Sequence, residues 1–274
     1  MSAAHLRDFH STRAAVTVDR TAQRYRQGGS LDLDQLKQAM TGPAATLLGI
    51  QRVAGNDIRK RSLEAYGGLT EANLLVTGVI ASALLRTNGR ASNERQEHAA
   101  HDCSGLIASF IIGLEPTENA ISEGRYLQAS ALVRQELETL AALEEIKQGR
   151  RMDRKTPNVG TLEQSLRRLY DDLSAAAHVS RRDLVAVATT YSGSLPNMPQ
   201  EIVVRRYIPA LDAEVARKLY SVHTLLTIFI AQHLGTHQEE AYQQGLVDDE
   251  IRALNAAIEI MVAEKMCISD DIPA

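Results

Sequence analysis

Residues 99–114 read AAHDCSGLIASFIIGL, and this stretch carries the clearest secondary-structure signal in the chain. Its apolar side chains recur every three or four residues, which is the spacing of one face of an α-helix. The positions are Ala99, Cys103, Leu106, Ile107, Phe110 and Leu114. Asn93 precedes the stretch as a capping residue type and Pro116 follows it, so a helix is predicted between them.

The same amphipathic pattern, bounded by glycine, proline and capping residues, continues on both sides. The predicted helices are residues 11–27, 32–41, 44–62, 70–87, 117–148, 161–177, 181–190, 212–234 and 248–266. Asp32 is the expected cap of the second of these. Residues 149–160 are predicted to form an exposed loop. Residues 201–208 are predicted to be helical, because a strand there has no evident partner.

The sequence therefore predicts an all-α, multi-helix bundle. We expect a single helical domain over residues 1–274, with a helical extension over 1–62 and a candidate sub-boundary at 192–200. The latter segment is the strongest break in the chain, because it combines glycine, serine and two prolines.

Composition narrows the class of function. An apolar fraction of 44% supports a folded core, and a net charge of −4 gives no overall attraction to nucleic acid or to an anionic membrane. Any RNA contact would therefore need a local basic patch. The first residues lack an apolar signal core, and no stretch approaches the roughly 18 apolar residues that span a bilayer. We expect a cytoplasmic protein without membrane contact.

Two faces rich in histidine and acidic residues raise the question of a metal site. The first comprises Glu94, Glu97, His98, His101 and Asp102. These residues share one side of a helix, but it lies opposite the apolar face of Cys103 and Phe110, so a solvated face or a subunit contact is favoured over metal. The second comprises His233, His237 and Glu240. Gly235 between the two histidines predicts a frayed helix end with exposed imidazoles instead. No cofactor is predicted.

Two further helices carry polar rows beside their apolar faces. Arg134 and Glu138 are four residues apart in one helix, and Tyr170, Ser174 and His178 follow at intervals of four in another. If the two helices pack antiparallel, these rows meet. An Arg, a Glu, a Tyr and a His in one half-buried cluster suit acid–base chemistry or anion binding. The same cluster is equally consistent with a polar network that fixes the register of two helices.

These residues belong to a motif set that resembles the HEPN-like helical proteins. The set is Gly-x-Tyr-x-x-Ala from Gly124, the Arg134-x-x-x-Glu138 pair, and Tyr-x-x-Leu-Ser-x-x-x-His-x-Ser from Tyr170, within residues 121–184. The resemblance implies a helical-bundle core, frequent dimerisation and a place in bacterial toxin, stress or anti-phage systems. Some members of the group cut RNA. It also implies Arg134, Glu138, Tyr170 and His178 as candidate site residues.

The chain departs from this family in one respect. HEPN ribonucleases place an Arg a few residues before a His. That spacing occurs here as Arg95 to His101 and as Arg217 to His223, both outside the matching segment.

Two functional hypotheses follow. The first is an HEPN-like protein of a bacterial defence or stress system that acts as a homodimeric, metal-independent ribonuclease, with a protein partner encoded in the same operon. The second is a non-enzymatic helical interaction or regulatory module, in which the polar cluster serves structure or partner binding.

The histidines of the 94–102 segment generate the first testable prediction. Protein purified without added metal should hold no stoichiometric zinc or iron, because this face points away from the apolar stripe of its helix. Elemental analysis of the wild type and of a His98→Ala, His101→Ala double variant checks this. One bound metal per chain that the double variant loses would contradict it.

Overall fold

The computed structural model describes residues 32–90, 98–178, 180, 182–193 and 202–265. The chain divides into two compact units, Met1–Ala54 and Gly55–Ala274, and the second is a multi-helix bundle. The predicted all-α fold class is confirmed. The helix predicted over residues 11–27 and the cap Asn93 lie outside the described residues. The division into one domain with an extension over 1–62 stays a prediction.

The described residues form α-helices, a 3-10 turn and two short strands. In chain order they are α1 (Leu33–Tyr66), α2 (Leu69–Thr87), α3 (His98–Ser122), α4 (Tyr126–Lys147), the 3-10 turn (Val159–Thr161), α5 (Gln164–Ala177), α6 (Arg182–Thr189), β1 (Thr190–Gly193), β2 (Ile202–Arg205), α7 (Ala213–Tyr242) and α8 (Asp248–Ala263). Asp32 caps α1 as predicted, because its Oδ1 accepts hydrogen bonds from the backbone N–H groups of Asp34 and Gln35 at 3.0 and 2.9 Å.

Helix α7 is the centre of the second unit. It packs against α2, α3 and α4, while α8 lies on α2 and α5 lies on α4. Leu226, Ile228 and Ile230 of α7 are all fully buried. Residues two apart point to different sides of a helix, so this middle part of α7 is enclosed all round. The positions of α2, α3 and α4 are therefore set by what each covers on α7, and α8 and α5 pack onto α2 and α4.

The boundary between α3 and α4 lies at Gly124 and not, as predicted, at Pro116. Pro116 lies inside α3 on its exposed side, and the carbonyl that it leaves unpaired belongs to Ile112, a residue open to solvent. Water can bind that carbonyl, so the proline does not end the helix. Gly124 has φ +75°, and a Cβ there would lie 2.6 Å from the Ala210 carbonyl oxygen. Only glycine fits this turn, which divides the helix predicted over 117–148.

The predicted break at Pro43 is also wrong. Helix α1 contains Pro43, so the segments predicted as 32–41 and 44–62 belong to one helix. Pro43 is exposed, as is Thr41 nearby. A proline on a solvated side loses one hydrogen bond but meets no neighbouring side chain, and the helix continues through it.

Residues 202–205 form a strand, which corrects the helix predicted over 201–208. Strand β2 pairs antiparallel with β1, with Val204 opposite Tyr191. The β-branched run Ile202-Val203-Val204 favours an extended chain, but a strand needs a partner. That partner is β1, which follows directly after α6, and the sequence of β1 carries no pattern that predicts a strand.

Helix α7 continues through Gly235 to Tyr242, so the frayed end predicted around His233 and His237 is wrong. Gly235 is buried, and a Cβ there would lie 2.7 Å from Leu246 Cγ. The glycine therefore marks a close approach of the following turn to the helix and not a helix end.

Arg217 and Glu264 join α1 to α2. Arg217 Nη1 donates to the carbonyls of Ala65 and Tyr66 at the end of α1, at 3.0 and 2.9 Å. Glu264 Oε1 accepts from the backbone N–H of Gly68 at the start of α2, at 2.7 Å. A cation at a helix C-terminus and an anion at a helix N-terminus both interact favourably with the helix dipoles. The hydrogen bonds from Arg217 and Gly68 lower the pKa of the Glu264 carboxyl.

Among the described residues, α2 is the one helix that is long and apolar enough to cross a membrane, with a mean hydropathy of 1.3 over its apolar window. It packs against α7 and α8, and Val76, Val79 and Ile80 on its inner side are buried. A core helix of a bundle has the same composition, so α2 is compatible with a soluble protein.

Substitutions at two glycines distinguish a position where only glycine fits from one where glycine merely lowers helix propensity. Gly235→Ala should destabilise the protein by about 1–3 kcal/mol, because the new methyl group overlaps Leu246. Gly105→Ala, in an exposed part of α3 with no atom within 4 Å of the new Cβ, should stabilise it by roughly 0.5–1 kcal/mol. Urea unfolding followed by circular dichroism measures both. Equal effects of the two substitutions would contradict the close approach at Gly235.

Candidate functional site

Helices α4 and α5 bring the four predicted site residues together. Arg134 and Glu138 lie one turn apart on α4, Tyr170 lies on α5, and His178 caps the end of α5. The two helices pack side by side through leucines of the core. The predicted convergence is therefore confirmed, and the four side chains are called the Arg134 cluster below.

One carboxylate oxygen holds the Arg134 cluster. Arg134 donates to Glu138 Oε1 from Nε at 3.1 Å and from Nη2 at 2.9 Å. The Tyr170 hydroxyl donates to the same oxygen at 2.8 Å. The Arg134 guanidinium carbon lies 5.3 Å from the centre of the Tyr170 ring, within cation–π range. Glu138 thus fixes a guanidinium and a phenol at once.

His178 completes the cluster through its Nε2 atom. This atom lies 3.0 Å from Arg134 Nη1. A guanidinium has only donors to offer, so Nε2 must accept, and the ring proton of the neutral imidazole is on Nδ1. His178 is exposed at the end of its helix. The cluster therefore presents a neutral imidazole to solvent with a cation against its basic nitrogen.

The Arg134 guanidinium is fixed by the cluster, but not all of its N–H donors are engaged. The side chains of Arg134 and Glu138 are 22% and 23% exposed. Partial burial by itself lowers the pKa of Arg134, but the bonds to Glu138 and Tyr170 outweigh it and the pKa is raised. Three of the five N–H groups of the guanidinium serve Glu138 and His178. Two remain for an incoming anion.

Ser174 does not join the hydrogen bonds of the cluster, although it lies between Tyr170 and His178 in the predicted row. Its hydroxyl oxygen is buried, and no hydrogen-bond partner for it exists in the described part of the chain. An unpaired buried hydroxyl costs about 1–3 kcal/mol. The sequence pattern identified the face correctly, but the hydroxyl itself remains unpaired.

A second ionisable pair lies in the core, and sequence reasoning missed it. His223 Nδ1 of α7 lies 2.9 and 3.1 Å from the two carboxylate oxygens of Glu136 on α4. Both side chains are almost completely buried. Burial lowers the pKa of His223, but the charge and hydrogen bond of Glu136, with a smaller effect of Glu118, raise it overall. The raised pKa favours the imidazolium form of His223, which pairs with the Glu136 carboxylate.

Other polar side chains extend this buried layer. The rings of Tyr66 and Tyr220 stack with their centres 4.0 Å apart, and the Tyr66 hydroxyl lies 3.1 Å from Ser122 Oγ. Burial raises the pKa of Tyr66 to about 12. These groups are enclosed by helices, so they shape the interior and do not face a substrate.

The two predicted histidine faces have different outcomes. His101 and Asp102 are exposed, while the side chain of His98 and residues 94 and 97 lie outside the described residues. His233 does not join His237 but pairs with Glu144 of α4, with 3.4 Å between Nε2 and Oε1. Within the part of the chain that the structure describes, no group of three or more His, Cys, Asp or Glu residues is placed to hold a metal ion.

The Arg217 to His223 spacing does not form a joint site. Arg217 faces Glu264 and the end of α1, whereas His223 faces Glu136 in the core. Six residues along a helix turn two side chains about 120° apart, which accounts for the separation. Arg95, the start of the other spacing, lies outside the described residues.

Comparison of the chain with models of protein families, with curated proteins and with solved structures finds no match. The resemblance to HEPN-like proteins is thus neither supported nor refuted and stays a prediction.

The buried pair predicts a distinctive dependence of stability on pH. A raised pKa in the folded state stabilises fully below the unfolded value of about 6.5, and this contribution is lost as the pH rises through the folded pKa. The free energy of unfolding of the wild type should therefore fall at alkaline pH. Glu136→Gln should cost about 3–5 kcal/mol near neutral pH, because it leaves His223 without its counter-ion.

The matched control is the double variant Glu136→Leu, His223→Leu. It removes both charges, so it should be more stable than Glu136→Gln and should lose the alkaline decline. Urea unfolding at a series of pH values measures both. An alkaline decline of the same size in the double variant would show that other groups cause it.

Proposed function

We propose that this protein is an HEPN-like, metal-independent ribonuclease that acts as a homodimer in a bacterial defence or stress system. The observation that carries the proposal is the 3.0 Å contact between Arg134 Nη1 and His178 Nε2 at an exposed edge of the α4–α5 pair. It joins a phosphate-binding cation to an imidazole nitrogen that can accept a proton.

Local charge supports an RNA substrate despite the net charge of −4. The end of α4 and the connector that follows it, residues 147–163, carry five basic residues against two acids, Asp153 and Glu163. The basic residues are Lys147, Arg150, Arg151, Arg154 and Lys155. All except Arg151 are exposed. A local basic segment of this kind binds a phosphate backbone without regard to sequence.

The proposed reaction is an internal transesterification. The substrate phosphate takes the free N–H groups of Arg134 and draws Nη1 away from His178. The released Nε2 lone pair accepts the proton of the ribose 2′-hydroxyl. The 2′-oxygen then forms a bond to phosphorus while the bond from phosphorus to the 5′-oxygen breaks.

Protons and charge balance within the same site. The His178 imidazolium returns its proton to the departing 5′-oxygen, so the products are a 2′,3′-cyclic phosphate and a 5′-hydroxyl. Arg134 stabilises the additional negative charge on the phosphate oxygens in the transition state. Glu138 and Tyr170 are positioning residues, because they hold the guanidinium through Oε1 and the ring face.

A second candidate function rests on a different observation. Glu138 Oε1 already accepts three hydrogen bonds, so most of the polar capacity of the cluster is satisfied internally. A satisfied network can serve only to fix the register of α4 against α5, as in a non-enzymatic interaction or regulatory module. This alternative predicts that a substitution in the cluster lowers the stability of the protein and does not change any catalytic activity.

The cellular setting belongs to the proposal as well. We place the protein in the cytoplasm, where a ribonuclease meets its substrate, with a protein partner encoded in the same operon that restrains it. An adjacent gene for an antitoxin or for another defence protein would support this setting.

His178→Ala separates the two functions. If the cluster is catalytic, cleavage of single-stranded RNA in the presence of EDTA should fall by about 10²–10⁴-fold, with an almost unchanged melting temperature. If the cluster is structural, the same change should lower stability by about 1–3 kcal/mol. Cleavage is followed by gel electrophoresis, with detection of the cyclic phosphate end, and stability by thermal unfolding.

His101→Ala is the matched control, because His101 is an exposed histidine on α3, away from the cluster. It should change neither quantity. Arg134→Lys should also lose activity, because an ammonium cannot bind Glu138 and phosphate in the same planar arrangement. A His178→Ala protein that is fully stable and fully active would remove the cluster from both roles.

A further inference from the structure

A cavity of about 340 Å³ opens between α4, the start of α5 and α7. Leu140, Leu166 and Phe229 form its apolar wall, and Glu144, Glu163 and Lys147 bring charge to its rim. Its volume is at the lower end of the range of small-molecule sites, and it combines an apolar wall with a few polar groups as such sites do. We call it the Glu144 cavity.

The polar side of the Glu144 cavity is built by two helices. His233 of α7 and Glu144 of α4 meet at 3.4 Å, and their side chains are only 20% and 28% exposed. Burial lowers the pKa of His233 more than Glu144 raises it, and Lys147 lowers it further. Near neutral pH the imidazole is therefore uncharged, and it leaves the negative charge of Glu144 uncompensated.

The charges around the cavity are unequal. Glu144 and Glu163 carry two carboxylates, and Lys147 carries the ammonium group among the lining residues. Lys147 is exposed at the last turn of its helix, where solvent weakens its field. The half-buried Glu144 is screened less. The cavity would thus repel an anion and attract a cation.

We propose that the Glu144 cavity binds a small organic cation, such as a primary amine with a flat apolar body. The body lies against Phe229, Leu140 and Leu166, and the ammonium group donates to Glu144. Gln232 and Thr161, which also line the cavity, supply further polar contacts. The site is distinct from the Arg134 cluster, and it does not depend on the ribonuclease proposal.

Isothermal titration calorimetry on the full chain tests the proposal with three probes of one shape. They are 2-phenylethylamine, the uncharged 2-phenylethanol and the anionic 3-phenylpropionate. The amine should bind with a Kd of about 1 mM or tighter, and the alcohol at least about tenfold more weakly. The anion should give no measurable binding. No binding of the amine at millimolar concentration, or equal binding of the anion, would overturn the proposal.

Two variants locate the site. Glu144→Gln keeps the shape of the side chain and should weaken amine binding about tenfold, because the charged hydrogen bond is lost. Thr236→Tyr fills the mouth of the cavity and should abolish binding of both the amine and the alcohol. Glu259→Gln, an exposed acid on α8, is the control and should leave the affinity unchanged. Wild-type affinity in both Glu144→Gln and Thr236→Tyr would show that the amine binds elsewhere.

Because these experiments measure binding and not RNA cleavage, their outcome is independent of the Arg134 cluster. A chain that binds the amine but cleaves no RNA, and a chain that cleaves RNA but does not bind the amine, would each be recognised.

Discussion

The ion pair between His223 and Glu136 sets the arrangement of the bundle. The middle of α7 is enclosed by the surrounding helices, so a charged group buried there must meet a partner. Glu136 supplies that partner from α4. A slip or a rotation of α4 along α7 would leave two buried charges unpaired, which costs several kcal/mol. The pair needs particular atoms in contact, so it restricts the alignment of α4 on α7.

The alignment of α4 also sets the direction of the Arg134 cluster. Glu136 lies midway between Arg134 and Glu138, and side chains two residues apart in a helix differ by about 200° in direction. With Glu136 pointing into the core, Arg134 and Glu138 necessarily point outward, towards α5. About one and two turns beyond Glu136, the same helix contributes Leu140 and Glu144 to the cavity. A ligand bound there would contact α4 and α5 close to the cluster without touching it.

Sequence reasoning succeeded where the information was local. Residues at intervals of four share a helix face, so the rows of Arg134 and Tyr170 could be predicted, together with their meeting if the two helices pack antiparallel. It failed where the deciding partner is distant. His223 and Glu136 are 87 residues apart. Strand β2 depends on β1, and Gly124 on the backbone of Ala210. The sequence predicts helix ends at Pro116 and Gly235, because it does not show that Pro116 is exposed or that Gly235 is closely packed.

The internal satisfaction of the Arg134 cluster is consistent with a catalytic role. In isolation an Arg followed by a Glu four residues later is a weak pair. Here Tyr170 strengthens it from a second helix and leaves the guanidinium fixed before any substrate arrives. A fixed cation loses little entropy when it binds an anion. Of its three hydrogen bonds, the one to the exposed His178 is the cheapest to exchange, because water and phosphate compete for it directly. In the proposed reaction, the phosphate draws Arg134 away from His178 and frees the imidazole nitrogen beside the ribose. Binding of the anion and exposure of the base would then be coupled, and a purely structural network has no need of that coupling.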